Sequence, residues 1–247
     1  KRNAIIQLGG SNPCELKKAC DILYSQGYQY FNLNVGCPSP RVQKGGFGAF
    51  LMQHPDLVAE CLEKMSDIVD LNHLSIKCRI GIDHHDNDAF LDTFVTQCQS
   101  VGIKQFIIHA RIAKLKGLNP KQNRTIPPLN YDRVLRLQKK HDHIHVIING
   151  GIKNKQQSIE LLNQYDGIMF GRLCYENLYL LHEIYSNVMG QTPDSRETLL
   201  KKLNPNPSHY KFIHSVYLGV EGASRWRNIL HRSANESQIR EFIKQKD

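Results

Sequence analysis

Residues 30–52 read YFNLNVGCPSPRVQKGGFGAFLM. The alternation of apolar and polar residues from Tyr30 to Val35 predicts a strand, at about 29–34, with one buried face. Gly36-Cys37-Pro38 breaks it, placing a thiol in a turn that neither helix nor strand crosses. A basic, glycine-rich loop follows, with Arg41, Lys44, Gly45, Gly46 and Gly48. A strand end needs a turn, but it does not need a cysteine and two cations set among glycines. This joint therefore reads as a catalytic loop at the carboxyl end of a strand.

The same unit of strand, loop and amphipathic helix recurs on both sides. Strands are predicted at about 4–8, 29–34, 73–78, 105–109, 144–149 and 167–170, with helices at about 13–26, 55–68, 87–101, 131–141, 155–165 and 176–188. Regular alternation with short loops predicts a parallel sheet, closed or open. Polar residues decide between them. Gln7, Asn32, Asn34, Lys77, His109, Asn149 and Gly171-Arg172 lie at or near strand ends, and drawing chemistry from many strand ends is the habit of a (β/α)8 TIM barrel. An open sheet would gather it at one switch point. Six units are two short of eight, so the expectation is an α/β barrel lacking its first two strands over residues 1–190. Residues 191–195 then read as a linker, Asn204-Pro205-Asn206-Pro207 as a second break, and residues 191–247 as a small all-helical domain. Its helices are expected at about 195–203, 208–218, 222–232 and 235–245.

With 247 residues, 40% of them hydrophobic and 22% charged, the chain has an ordinary globular composition. No apolar run is long enough to span a membrane. The seven cysteines form no CxxC or CxxH pair, which argues against zinc, and their odd, scattered count suits a reducing compartment. Residues 196–247 hold ten basic against five acidic residues, about +5 of the net +9. A polyanionic partner fits this balance.

Most lone cysteines are small buried hydrophobes. Cys37 lies on a polar loop, where a thiol can be a nucleophile or a proton donor. Asn149-Gly150-Gly151 and Phe170-Gly171-Arg172 each end a late strand in glycine, which lets backbone amides approach a phosphate, with Arg172 adding a charged fork. The plain alternative is a pair of glycine turns. Two consecutive late strands ending this way match the phosphate site of barrels. Lys77 and His109 are ordinary as a solvated cation and a hydrogen-bonded imidazole. In a barrel mouth with a phosphate across from them, they can hold the ring and ribityl chain of flavin mononucleotide (FMN), with Gln7 on a flavin edge. Residues 111–124, RIAKLKGLNPKQNR, carry five basic residues and no acidic one directly after His109. A charge run is usually a solvated face; at this mouth it suggests a grip on nucleic-acid phosphates.

Five motifs in order carry a resemblance. NLNVGCPSPRVQKGGFGAFLM, KCRIGID at 77–83, HARIAKLKGLNPKQNRTIPPLNYDRV at 109–134, NGGI at 149–152 and FGR at 170–172 resemble the tRNA-dihydrouridine synthases. The 109–134 stretch is most similar to the subfamily acting on uridine 20/20a of the tRNA D-loop. The resemblance implies FMN-dependent, NADPH-driven reduction of the uracil C5–C6 double bond, with Cys37 as the acid that protonates C5. It implies FMN contacts from Gln7, Lys77, His109, Asn149, Gly150, Gly151, Gly171 and Arg172, a target-nucleotide contact from Asn34, and tRNA contacts from Lys121, Arg124 and Arg227. The helical tail corresponds to the family's tRNA-binding domain. Two departures stand out: nothing before Ile5 matches the family's first-strand Pro-Met motif, and Ser224 replaces an arginine expected three residues before Arg227. A cytoplasmic monomer without a metal is expected. The competing expectation is a truncated, catalytically inactive tRNA-binding protein.

Overall fold

The computed structural model describes residues 4–204, 206, 209–231 and 236–245. Pro205, Pro207, Ser208 and the expected helix ends at 232 and 235 lie outside the described residues. The chain divides into two compact units. One runs to Gly151 and takes in Leu161–Met169; the other comprises Ile152–Glu160 and the described residues from Phe170 on.

The first unit holds β1 (Ile5–Leu8), α1 (Pro13–Ser25), β2 (Tyr30–Val35), α2 (Pro40–Lys44), α3 (Pro55–Ser66), β3 (Leu74–Arg79), α4 (Asp88–Ser100), β4 (Gln105–His109), α5 (Tyr131–Lys140), β5 (His145–Asn149) and, after α6 (Lys155–Leu162), β6 (Gly167–Met169). All six strands pair in parallel, in the order β1-β2-β3-β4-β5-β6. A doubly wound sheet reverses direction at a switch point, and this one does not. With right-handed crossovers, sequential order sends every helix to the same face, as in a (β/α) barrel. Helix accordingly packs on helix along that face, α1 on α3, α3 on α4 and α4 on α5.

Strand register gives the two faces opposite characters. Phe31, Leu33 and Val35 align with Leu74, Ile76 and Cys78, and these continue into Phe106, Ile108, Val146 and Ile148; all are fully buried. The intervening residues point the other way. There Asn32 aligns with Ser75, Asn34 with Lys77, and Arg79 with His109 and Asn149. The apolar ladder holds the helices, so the polar ladder is free to form a site.

Local signals account for most element ends. Asn12 caps α1 by accepting from the Glu15 amide at 3.1 Å, whereas His54 makes no such bond ahead of α3. The loop after Cys37 contains an unexpected short helix, α2, started by Ser39 with Pro40 in its first turn. The single helix expected at 176–188 is two, α7 (Leu173–Glu176) and α8 (Leu178–Val188). The Asn177 side chain caps α8 by accepting from Leu180 N, which starts a new helix there.

In the second unit α9 (Arg196–Leu203), α10 (Tyr210–Ile213), α11 (Ala223–His231) and α12 (Glu236–Lys244) follow α7 and α8. Trp226, Tyr217 and Phe242 pack together with Leu200, Ile213, Val216, Ile239 and Ile243. The helix expected at 208–218 ends at Ile213. Trp226 Nε1 donates to Ile213 O, a carbonyl that a helix running to 218 would use, and Arg196 Nε donates to Val216 O just beyond. Among the described residues, no helix is long and apolar enough to cross a membrane.

Candidate active site

The polar face begins with a ladder of side chains across three strands. Gln7 Nε2 donates to Asn32 Oδ1 at 2.7 Å, Asn32 Nδ2 to Ser75 Oγ at 2.8 Å, and Ser75 Oγ to Phe31 O at 3.1 Å. Asn32 and Ser75 are thereby satisfied within the protein, and Gln7 is exposed on β1.

One residue pair further along, Asn34 sets the Cys37 turn. Its Oδ1 accepts from both Gly36 N and Cys37 N at 3.1 Å. The oxygen expected to meet a nucleotide is thus engaged in shaping the turn, which leaves the amide nitrogen for any such contact. Cys37 is half-buried, and its carbonyl accepts from Ala49 N at 2.9 Å. Gly48 has φ +71°, and a Cβ there would run into Val42 and Cys37 O. That glycine closes the loop under the thiol. Arg41 and Lys44 are exposed on α2.

β3 continues beyond Lys77 to Arg79, so the strand end is the arginine, placed opposite His109 by register. Arg79 is only 4% exposed, yet no carboxylate partners it among the described contacts. Its Nε donates to Gly36 O at 3.2 Å and one terminal nitrogen to Ile112 O at 3.2 Å and Asn123 O at 3.0 Å. The sequence reading passed over Arg79, although period two put it on the same face as Lys77. Lys77 Nζ donates to Asn149 Oδ1 at 3.2 Å, and Asn149 Nδ2 donates to Met169 O at 2.8 Å, so one amide spans β3 to β6.

The electrostatics of this face are one-sided. Burial, then the charge of Arg79, pulls the Lys77 ammonium down to about 8. Burial pulls Arg79 down to about 10. For His109, burial and then Arg79, Lys77, Arg111 and Arg124 push the imidazole down to about 2, which keeps it neutral. Cys37 lies within electrostatic reach of both Lys77 and Arg79. Cations converge here without a carboxylate among the groups acting on them. An anion with hydrogen-bond acceptors is what this donor set fits, and the phosphate-bearing FMN named above meets that requirement.

Gly150 and Gly151 have φ +110° and +69°. A Cβ at either would strike His109 or Leu129 respectively, so both glycines serve the protein's own packing. In the second unit Gly171 and Arg172 are exposed, and a Cβ on Gly171 would meet open space.

The basic segment after His109 is a compact loop. Asn123, fully buried, accepts from Lys114 N at 2.7 Å and donates to Lys114 O, Leu118 O and Asn119 O. Arg111 donates to Pro127 O and Lys114 Nζ to Asp83 O, which makes two of the five cations internal. Lys116, Lys121 and Arg124 are exposed. Arg227 is exposed on α11, and donates weakly to Ser224 Oγ at 3.4 Å.

A family model described as dihydrouridine synthase (Dus) matches residues 1–246. The chain belongs to the dihydrouridine synthase family. It is 41% identical over 245 residues to a tRNA-dihydrouridine(20/20a) synthase of Shewanella oneidensis, covering 94% of this chain and 73% of the relative. The synthases of the same description from Vibrio cholerae and Pseudomonas aeruginosa are each 40% identical, covering 94% and 95% of this chain and 75% of each relative. Among solved structures, an old yellow enzyme homologue from Zymomonas mobilis aligns with TM-score 0.52 and 11% identity, covering 71% of this chain and 51% of its own. Morphinone reductase aligns with TM-score 0.51 and 12% identity, covering 85% and 53%. These two likenesses concern the fold alone, and the chain spans about half the length of either structure. Membership of the dihydrouridine synthase family makes this an oxidoreductase fold by descent, with the Cys37 turn and the cationic strand ends as its candidate chemistry.

Proposed function

We propose that the protein reduces uridine to 5,6-dihydrouridine in the D-loop of tRNA, using FMN and NADPH. Family membership and the relatives' shared description support the reaction. The observation that carries the site assignment is the placement of Cys37, held by Asn34 and Arg79 beside Lys77 on a face rich in cations. FMN, when bound and reduced by NADPH, supplies the hydride that adds to C6 of the uracil ring.

Saturating the C5–C6 bond also needs a proton at C5, and Cys37 Sγ–H gives it. The bond to hydrogen breaks at sulfur and forms at carbon, leaving a thiolate that exchanges with water. Asn34 holds the thiol's backbone and offers its amide nitrogen to the uracil. Lys77 and neutral His109 donate to the cofactor, joined by Gln7 and Asn149 and by the amides of Gly150 and Gly151. The resemblance adds Gly171 and Arg172 to the phosphate contacts. Lys121 and Arg124, on the folded loop, and Arg227, in the basic helical domain of residues 191–247, contact tRNA phosphates.

In Cys37→Ala the bound flavin absorbance should persist while uridine reduction falls by about a hundredfold or more, the usual weight of a positioned acid. Reduction at the wild-type rate in that variant would refute the acid assignment. A tRNA gel shift from wild-type protein that neither binds flavin nor reduces uridine would leave the inactive tRNA-binding reading instead.

A further inference from the structure

Cys37 is tied on both sides to one and the same loop. The carbonyl before it, Gly36 O, accepts from Arg79, whose guanidinium also holds Ile112 O and Asn123 O. The carbonyl after it, Pro38 O, accepts from Gln43 Nε2 at 2.8 Å, and the same nitrogen donates to Leu115 O at 2.9 Å. Gln43 thus spends both N–H bonds of one amide on two main-chain carbonyls, one beside the thiol and one inside the basic loop. Leu115 cannot absorb a displacement by itself. Its amide is held from the other side by Asp83 Oδ1 at 2.8 Å, and the preceding residue is knotted to Asn123.

We propose that Gln43 is a positioning residue that couples the hold of the 112–124 loop on RNA to the placement of the Cys37 thiol. This rests on the reading of Cys37 as proton donor and of Lys121 as an RNA contact. Gln43 is half-buried on α2, and its role is carried by hydrogen bonds alone. Movement of the loop on meeting a phosphate backbone passes through Leu115 O and Gln43 to Pro38, one bond from Cys37. The primary amide supplies two donors from one nitrogen; a carboxylate of the same length would face two carbonyl oxygens with no proton to offer. Without the tether the loop still meets RNA, but the thiol no longer responds.

The test is a double-mutant cycle on the single-turnover rate of uridine reduction at saturating tRNA, using the full chain with Lys121→Ala, Gln43→Leu and both. The expected result is a roughly tenfold loss from Lys121→Ala in the wild-type background and little further loss in the Gln43→Leu background. Losses that simply multiply would overturn the coupling. Gln43→Glu should behave as Gln43→Leu does; wild-type behaviour in Gln43→Glu would show that the donors are irrelevant. In parallel, iodoacetamide labelling without tRNA, read by mass spectrometry, should change about threefold at Cys37 in both Gln43 variants and stay constant at exposed Cys14. An unchanged Cys37 rate in folded protein would also overturn the proposal. Labelling needs no turnover, so a failure of the proposed reaction in Cys37→Ala stands apart from a failure of the tether.

Discussion

His109 shows how much a single side chain owes to its surroundings. It is 8% exposed, and burial together with four cations pushes its imidazole from 6.5 to about 2. The unfolded chain takes up a proton below about pH 6.5 that the folded one refuses until near pH 2. Stability is therefore fully present above 6.5 and is lost as the pH falls, by at most about 1.4 kcal/mol per unit. His109→Gln has no such proton to take up. Denaturant unfolding at pH 6.5 and 4.5 should show wild type losing about 2–3 kcal/mol more than the variant; equal losses would contradict a buried neutral imidazole. Lys77 provides the complementary test. Its ammonium is lowered from 10.5 to about 8, so the free protein loses this charge as pH rises through 8. FMN affinity, followed by quenching of flavin fluorescence, should fall from pH 7 to pH 9, and Lys77→Met should flatten that dependence. Residue identity at these positions was legible from strand periodicity, as Arg79 would have been had period two been carried past Lys77. Their protonation was not legible, because it depends on neighbours contributed by other strands.

At the scale of elements, the 111–124 segment departs most from expectation. Its charge pattern suggested a loop gripping phosphates, and the residue that folds it, Asn123, carries no charge. A buried amide that accepts one bond and shares its two N–H groups among three carbonyls organises the loop from within. Arg111 and Lys114 turn inward for the same reason, since carbonyls of Pro127 and Asp83 lie within their reach. Asn123→Ala should remove those bonds at a local cost of about 2–3 kcal/mol. Amide exchange at Lys114 and Leu115 should speed up by at least tenfold, tRNA affinity should fall, and the global melting point should change little. Protection that survives intact would mean the loop is held by Arg79 and Asp83 without Asn123. Helix boundaries divide along the same line. Asn12, Ser39 and Asn177 act through bonds to amides three residues away and belong to local sequence. The early end of α10 depends on Trp226 and Arg196, which reach it from other helices.

Across the whole molecule, a net charge of +9 gives affinity for polyanions, but only cations that face solvent release counterions on binding. Lys116, Lys121, Arg124 and Arg227 meet that condition, while Arg79 and Arg111 are committed to carbonyls. A plot of log tRNA affinity against log salt should lose about one unit of slope for Lys121→Ala and for Arg227→Ala, and none for a neutral exposed substitution such as Gln156→Ala. An unchanged slope in Lys121→Ala would remove that residue from the interface. The alternation of strands with helices was enough by itself to determine a parallel α/β fold, because burial of one strand face and one helix stripe is a demand each segment makes alone. The order of five motifs likewise carried the resemblance to the family. Tertiary structure decided what those residues do for one another. Asn34 gives its oxygen to the Cys37 turn, the glycines at 150 and 151 make way for His109 and Leu129, and Gln43 joins two loops. Such pairings arise between segments far apart in the chain, where hydrogen-bond geometry and excluded volume act only after the sheet has set its register.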